Sequence, residues 1–186
     1  MADVLEVRRL RADDIVLLRE IDRAEQLDTH YRVVDGELIG SPDDFFIPPW
    51  DPDGDGLYSV AAMISFAEPV LQRGAALLGA YRGDELLGLV VVDGEYEPDV
   101  AWLTLLYVTR AARRSGAASA LWMAAEEAAR GAGAKTLYVS SAPTGSAVGF
   151  YFSRGCRLAS KDEIIPALFE LEPEDIHLVC ELESPT

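Results

Sequence analysis

The stretch "LLYVTRAARRSGAASALW", residues 105–122, joins an apolar segment to an Ala-rich segment through a basic loop of small residues. We expect a buried strand, the loop and then a helix. Free backbone N–H groups at a helix N-terminus attract anions, and glycine lets a phosphate approach the backbone closely. Arg113 and Arg114 add positive charge to an acidic chain. These features favour a pyrophosphate-bearing cofactor, although small residues here also suit tight packing of a helix on a sheet.

Two other phosphate-binding motifs do not fit this loop. A dinucleotide-binding fold requires G-x-G-x-x-G after a strand of a parallel sheet, and the loop lacks that pattern while its neighbouring strands are predicted to be antiparallel. A P-loop requires Lys and then Ser or Thr directly after the last Gly, and these residues are missing as well.

A second stretch, "PPWDPDGDGLYSVAA" at residues 48–62, begins like a calcium-binding loop. Its alternating carboxylates are Asp51, Asp53 and Asp55. The twelfth position, which a calcium loop fills with a bidentate Glu, is Ala62. The two prolines before the loop also exclude a helix leading into it. The sequence therefore predicts no metal here.

Three motifs then occur in order along the chain: "LYV" at 106–108, "RRSGAA" at 113–118 and "TGSAVGFYFSRGC" at 144–156. Together they resemble the GNAT superfamily of N-acetyltransferases. The family's acyl-CoA loop follows the pattern Q/R-x-x-G-x-G/A, which Arg113 and Gly116 match together with Ala118. The resemblance implies one acyltransferase domain over residues 1–186.

The third motif is similar to the family pattern N-x-x-A-x-x-F-Y-x-x-x-G-F. Ala147, Phe150 and Tyr151 match it, while Thr144 stands in place of Asn and Cys156 in place of the final Phe. The resemblance implies that Tyr151 is the general acid that protonates the departing CoA thiolate. A half-buried core tyrosine is the alternative explanation of the same residue.

The resemblance also implies acetyl-CoA as the acyl donor and no metal. Backbone groups of Leu106, Tyr107 and Val108 would bind the pantetheine, and the Leu106 N–H would bind the thioester oxygen as negative charge develops. The other residues expected to contact the donor are Arg113, Arg114, Ser115, Gly116, Ala117, Ala118, Thr144 and Tyr151.

The implied activity is transfer of an acetyl group to a primary amine, on a cationic small molecule, by direct attack in a ternary complex. In the family, the segment that holds the acidic loop borders the acceptor pocket. The three aspartates and His30 are therefore expected to face the acceptor amine. A protein N-terminal or lysine acetyltransferase and a non-catalytic acyl-CoA-binding regulatory module are the alternatives.

The general base is harder to assign from the sequence. Some relatives carry Glu on the fourth strand, where this chain has Trp102. Glu97 is the candidate, with Glu95 and Asp99 beside it, acting directly or through a water molecule. A solvated charge cluster in a hairpin explains these three residues equally well.

Composition limits the function classes. A chain of 186 residues with 49% hydrophobic residues fits one domain with one substantial core. A net charge of −16 repels phosphate backbones, so we expect no nucleic-acid partner. We also expect no membrane partner, a cytoplasmic location and no disulfide between the two cysteines. The oligomeric state stays open, with a homodimer as one option.

The elements predict an α/β (α+β) fold. It has a mixed, mostly antiparallel central sheet of about six to seven strands, flanked by about four helices. Two apolar strands, residues 75–81 and 85–93, are joined by a tight "RGD" turn, and "VAWLTLLYV" follows as a strand covered on both faces. Helices are expected after Asp13, after Ser59, over 116–130 and over 146–154, and residues 26–57 are expected to be irregular.

Overall fold

The computed structural model describes residues 4–182. The strands are β1 (Leu5–Leu10), β2 (Glu25–Gln26), β3 (Thr29–Val34), β4 (Glu37–Pro42), β5 (Phe46–Ile47), β6 (Ala76–Arg82), β7 (Glu85–Glu97), β8 (Val100–Val108), β9 (Thr136–Ser141), β10 (Arg157–Leu158) and β11 (Ile176–Glu181). The α-helices are α1 (Val60–Gln72), α2 (Ala117–Gly131), α3 (Gly145–Ser153) and α4 (Pro166–Leu171). Two 3₁₀ helices span Ala12–Glu20 and Arg110–Ala112. No helix within 4–182 combines the length and apolar character that a bilayer crossing requires.

Seven strands form the central sheet in the order β1-β6-β7-β8-β9-β11-β10. All neighbours are antiparallel except β8 and β9, which run parallel because α2 carries the chain back across the sheet between them. The predicted mixed, mostly antiparallel sheet with four α-helices is confirmed for the described residues. The bounds of β8 also agree with the predicted strand.

A hydrophobic core lies on each face of this sheet. On one face, α2 and α3 cover residues such as Val90, Leu103 and Val139. On the other face, the longer 3₁₀ helix, α1 and α4 cover residues such as Val91 and Trp102. Because β7 and β8 are buried on both faces, their sequences are almost continuously apolar.

Strands β8 and β9 separate partway along their length. Their parallel pairing runs from the Val100–Thr136 pair to the Leu103–Val139 pair and continues no further between described residues. Beyond Leu103, the edge of β8 that faces β9 is open, while its other edge stays paired with β7 up to Val108. This opening is the feature of the fold that creates the site.

Two local predictions were wrong. The segment after Asp13 forms a 3₁₀ helix that begins at Ala12, instead of an α-helix capped by Asp13. Part of the segment expected to be irregular forms the β3–β4 hairpin, whose turn holds Asp35 and Gly36 at positive φ. This hairpin docks on the chain just before α3, where the Tyr31 N–H donates to the Pro143 carbonyl at 2.8 Å.

The expectation of two reduced cysteines was also wrong, because Cys156 and Cys180 are joined by a disulfide. Cys156 directly precedes β10, and the antiparallel pairing of Arg157 with Val179 brings the two cysteines opposite each other. Their Cα atoms lie 4.2 Å apart. A count of two cysteines could not reveal this pairing, since it depends on which strands become neighbours.

We expect the disulfide to be measurable in freshly purified protein. Unfolded without reductant, the chain should show no reactive thiols, and reduction should then release two. Since the bridge spans a sequence separation of 24 residues, reduction should lower the free energy of unfolding by about 3 kcal/mol. A Cys156→Ser, Cys180→Ser double variant is the control, because reductant should not change its stability. Two thiols in the unreduced, unfolded protein would contradict the bond.

Candidate active site

A cavity of about 1040 Å³ occupies the opening between β8 and β9 and reaches both faces of the sheet. Its side beside α2 and α3 includes Gly116, Thr144 and Tyr151. Its opposite side includes Met63 of α1 and Leu171 at the end of α4. The volume suits a small-molecule site. The cavity therefore connects two separate binding regions through a gap in the sheet.

The open edge of β8 presents the Leu106 backbone to this cavity. The Thr109 N–H donates to the Leu87 carbonyl at 2.8 Å, so these two residues form a hydrogen-bonded pair of the β7–β8 ladder. Such pairs alternate along an antiparallel ladder, and Leu106 lies three residues before Thr109, opposite Val90. Its N–H and C=O therefore point away from β7 and towards the opening. The Leu106 N–H is therefore free for a ligand in the cavity.

The loop before α2 forms a cradle of backbone N–H groups. Arg114 and Gly116 both have positive φ, +62° and +91°, on either side of Ser115. The N–H groups of Arg114 and of residues 116–118 donate to no backbone carbonyl of the described chain. The Ser115 hydroxyl oxygen is buried and also lacks a partner among residues 4–182. Unpaired backbone N–H groups at a helix N-terminus form an anion-binding site.

The two arginines of this loop have different environments. Arg113 donates to the Arg23 carbonyl at 2.8 Å and forms an ion pair with Glu25 at 3.4 Å. Arg113 therefore braces the loop against the segment before β2, which goes beyond the predicted contact with the donor. Arg114 is exposed on the cavity side and forms no ion pair with another described residue.

Sequence reasoning missed Arg154, which also lines the cavity. Its Nη2 atom donates to the Ser119 hydroxyl at 2.8 Å, and its guanidinium lies 4.9 Å from the centre of the Phe150 ring. The signal in the sequence was a basic residue two positions after the "FYF" segment, at the C-terminal end of α3. Arg114 and Arg154 make the α2 side of the cavity suitable for phosphates. In a chain of net charge −16, five arginines line the cavity as a whole. They are Arg23, Arg110, Arg113, Arg114 and Arg154.

Tyr151 lies on α3 at the junction of the two regions. Its side chain is 8% exposed, lines the cavity and packs against Trp122, with ring centres 5.7 Å apart. Its hydroxyl makes no hydrogen bond to another described residue. Burial raises the pKa of Tyr151 above its ordinary range, and the nearby Tyr107, Asp175 and Glu172 raise it further. The phenol therefore keeps its proton at neutral pH, as a proton donor must.

Tyr107 lies on the opposite face of the sheet from α3. Its ring meets the Trp50 ring edge-on, with centres 5.2 Å apart, and Trp50 in turn stacks under the Arg23 guanidinium at 4.0 Å. Burial raises the pKa of Tyr107 to about 12, although the charge of Arg23 opposes the shift. Tyr107 and Arg23 line the cavity, and Trp50 supports both of them without belonging to the cavity wall.

Two carboxyl groups on that side were not predicted from the sequence. Glu172 and Asp175 follow α4 in the turn that leads into β11, and both line the cavity. Burial raises the pKa of Glu172 to about 7, and the negative charge of Asp175 adds to the shift. Burial also raises the pKa of Asp175 to about 6. The cavity therefore holds two carboxyl groups that titrate near neutral pH.

Because the pKa of Glu172 is raised, we expect the free energy of unfolding to depend on pH through this residue. A carboxyl whose pKa is higher in the folded state stabilises the fold below about pH 4.5, and this contribution disappears as the pH rises through about 7. Gln does not ionise, so Glu172→Gln keeps its stability as the pH rises. At pH 8 the variant should therefore be more stable than the wild type by about 1–2 kcal/mol, after allowance for water in the cavity. Urea unfolding at pH 5 and pH 8 measures this.

The matched control for that experiment is Glu174→Gln. Glu174 is exposed, lies two residues from Glu172 and is not part of the cavity wall, so its replacement removes one carboxylate without changing the site. An equal stability difference between Glu172→Gln and the wild type at both pH values would contradict the buried titration.

The acidic loop and His30 do not line the cavity, in contrast to the sequence-based expectation. The Asp51 carboxylate accepts from the backbone N–H groups of Asp53 and Gly54 and so closes its own turn, while Asp53 and Asp55 are exposed. His30 forms an isolated bridge with Thr144. Among residues 4–182, no three His, Cys, Asp or Glu side chains are grouped as a metal site would require.

The predicted general base is also in the wrong place. Glu97 is exposed and pairs with Val100 at the start of β8, six residues before Leu106. At about 3.3 Å per residue, that distance is about 20 Å along the strand. Glu95 belongs to the same hairpin, and Asp99 forms an ion pair with Lys135 at 2.8 Å. These residues form the solvated charge cluster that was the alternative explanation.

Comparison with known proteins decides the family. The model of the Acetyltransferase (GNAT) family matches residues 41–156, which is more than half of the chain. This protein belongs to the GNAT acetyltransferases. A search of curated proteins found no match to the sequence.

Solved structures agree with this GNAT fold. Nourseothricin acetyltransferase is 20% identical, with a TM-score of 0.69 over 96% of this chain and 99% of that one. A putative streptothricin acetyltransferase from Bacillus anthracis, in complex with acetyl coenzyme A, is 13% identical, with a TM-score of 0.70 over 97% and 99%. The ribosomal-protein-S18-alanine N-acetyltransferase from Escherichia coli is 14% identical, with a TM-score of 0.60 over 98% and 97%. At these identities the likeness shows the fold.

The residues of this GNAT enzyme fit acetyl-CoA as the acyl donor. The unpaired backbone N–H groups before α2 suit a pyrophosphate, and the open edge of β8 offers backbone groups to an extended pantetheine. The sequence-based prediction of a GNAT N-acetyltransferase that uses acetyl-CoA is thereby confirmed.

Proposed function

We propose that this GNAT enzyme moves the acetyl group of acetyl-CoA to a primary amine on a small cationic molecule, by direct attack within a ternary complex. One observation carries the proposal. A single cavity runs through the opened sheet from the anion-binding loop of α2 to a region lined by Glu172 and Asp175. Donor and acceptor can therefore approach the same point from opposite sides.

The chain supplies two groups at that meeting point. The Leu106 N–H is free to donate to the thioester oxygen as it gains negative charge, and it comes from a strand held rigid by β7. The Tyr151 phenol is protonated and open to the cavity, so it can give its proton to the thiolate that leaves. Attack by the amine nitrogen forms the C–N bond while the C–S bond breaks.

The acceptor class is supported by charge. The carboxyl groups on the acceptor side attract a positively charged molecule, and the net charge of −16 strengthens this at low salt. Two similar structures carry the names of acetyltransferases for nourseothricin and streptothricin, and one is named for an alanine of ribosomal protein S18. The cavity has a size that suits a small-molecule acceptor, and strands β2 and β5 and helix α1 border it.

A panel of acceptors tests this proposal. Release of CoA thiol is measured with acetyl-CoA and three groups of acceptors: small diamines and aminoglycoside-like amines, neutral amines, and peptides with a free N-terminus or lysine. The proposal predicts turnover with cationic small amines and intersecting initial-velocity lines, which indicate a ternary complex. Faster turnover with peptides would make it a protein acetyltransferase. Tight acetyl-CoA binding without turnover on any acceptor would make it a binding module.

A further inference from the structure

We propose that Glu172 is the general base that takes the proton from the acceptor amine, and that Asp175 is the second carboxyl group that holds this amine in the cavity. The inference rests on the proposed function, because it assigns a role within acetyl transfer to an amine. It replaces Glu97, the last residue of β7, which pairs with Val100 at the start of β8.

Elimination among the described cavity residues leads to Glu172. The carboxylates of the cavity wall are Glu25, Glu172 and Asp175, and no histidine of the described chain belongs to that wall. Glu25 is already paired with Arg113 at 3.4 Å, on the side of the phosphate cradle. Glu172 and Asp175 have no ion-pair partner among residues 4–182 and lie on the acceptor side.

The strand pairing puts both residues across the opening from Leu106. Asp175 directly precedes Ile176, the first residue of β11, which pairs with Ser141 at the end of β9. That end of β9 has separated from β8, whose open edge begins just after Leu103. The two carboxyl groups therefore lie on the β11 side of the opening, and the Leu106 N–H lies on the β8 side. The negative charges of Glu172 and Asp175 also raise the pKa of the Tyr151 phenol.

A buried hydrogen-bond chain through His177 fixes this turn. His177 Nε2 lies 3.1 Å from the Glu172 carbonyl oxygen, and its Nδ1 lies 2.9 Å from the Tyr138 hydroxyl. A carbonyl only accepts, so Nε2 carries the proton and Nδ1 accepts from Tyr138, whose oxygen accepts from the Ile165 N–H at 3.4 Å. Burial lowers the pKa of His177, so the ring stays neutral. His177 is a positioning residue: it contacts the Glu172 backbone after α4 and connects it, through Tyr138, to the Ile165 backbone before α4.

The proton balance of the step is complete. An ammonium acceptor gives one proton to the Glu172 carboxylate, and its nitrogen lone pair then forms the C–N bond. The C–S electrons leave with sulfur, which receives a proton from Tyr151. Attack leaves the nitrogen positively charged, and it loses its second proton to the solvent, from which the Tyr151 phenolate regains one. Glu172 then releases the proton it took, so the net products are the acetamide, CoA thiol and one proton.

Glu172 must be ionised to act, so activity should rise with pH through the titration of this residue. Ionisable groups face it from several elements. They are Asp175 just before β11, Tyr107 on β8 and Tyr151 on α3, while the His177 ring contacts the Glu172 backbone. Burial and the charge of Asp175 keep the pKa of Glu172 at about 7, whereas the Ser140 hydroxyl near the carboxyl opposes them. Asp175→Asn removes one of the raising charges and should move the acid limb of the pH profile to lower pH.

The test compares pH profiles of kcat for the wild type, Glu172→Gln, Asp175→Asn and the exposed control Glu174→Gln. With an amine that the wild type acetylates, Glu172→Gln should lower kcat about 10²–10⁴-fold near pH 7, and the deficit should shrink at high pH, where the amine loses its own proton. Asp175→Asn should raise KM for a cationic amine and shift the acid limb downwards. Glu174→Gln should match the wild type.

The outcomes separate the inference from the proposed function. Wild-type turnover with an unchanged rate and acid limb in Glu172→Gln overturns the general base and leaves the acetyltransferase in place. A Glu172→Gln deficit that is the same at every pH also overturns it, because a structural role would produce that result. Absence of wild-type turnover with every amine overturns both.

Discussion

Replacing Tyr151 with Phe is expected to lower kcat by about 10²–10⁴-fold while leaving the affinity for acetyl-CoA nearly unchanged. The removed hydroxyl makes no hydrogen bond to another described residue, and the ring still packs against Trp122. The change therefore removes a proton donor and little else. Steady-state rates and calorimetric binding of acetyl-CoA measure the two effects separately, with an acceptor for which chemistry limits the rate.

The control for this variant is Tyr81→Phe. Tyr81 lies on β6, outside the cavity wall, and loses the same hydroxyl group. It should keep wild-type turnover. A Tyr151→Phe enzyme with full kcat would mean that water protonates the thiolate and that Tyr151 only packs the junction between α3 and the sheet.

The second large effect is expected for Gly116→Val, which should weaken CoA binding by about 100-fold or more. Gly116 has φ +91° at the cradle, a conformation that β-branched residues strongly disfavour. A side chain here disturbs the unpaired N–H groups of residues 116–118. Loss of two charge-assisted hydrogen bonds at about 1.5 kcal/mol each corresponds to that factor. Calorimetric titration with CoA measures it.

Gly133→Val provides a matched control. Gly133 has nearly the same backbone conformation, φ +94°, with open space around it, but it follows α2 at the end away from the cradle. Both variants should lose similar stability from backbone strain, so thermal unfolding should not distinguish them. Equal CoA affinity in folded Gly116→Val and Gly133→Val would contradict phosphate binding at this loop.

The elements that position the donor could be predicted from local sequence. The β8 strand has nine apolar or small residues in a row, and the loop before α2 carries its signal in two adjacent arginines and one glycine. A strand buried on both faces requires a run of apolar residues, and a positive φ favours glycine, so both features leave a signal within a few residues of the sequence. Leu106, Gly116 and Tyr151 accordingly come together around one cavity.

The acceptor side could not be predicted in the same way, because its residues become neighbours through distant pairings. Glu172 and Asp175 belong to the acidic stretch "FELEPED", which looks like a solvated turn until β11 pairs with β9 and buries its end. The same pairing explains the disulfide, which needs β10 beside β11. The aspartates after Trp50 showed a clear pattern, but Asp51 uses its carboxylate to close a local turn.

Transfer of a labelled acetyl group tests the central claim most directly. The enzyme is supplied with acetyl-CoA that carries a trideuterated acetyl group, together with the best amine of the acceptor panel, and the products are measured by mass spectrometry. The account predicts one labelled acetamide for each CoA thiol released, with both products lost together in Tyr151→Phe. Thiol release without a labelled acetamide would show that the cavity only hydrolyses the thioester, and would contradict acetyl transfer across the opening between β8 and β9.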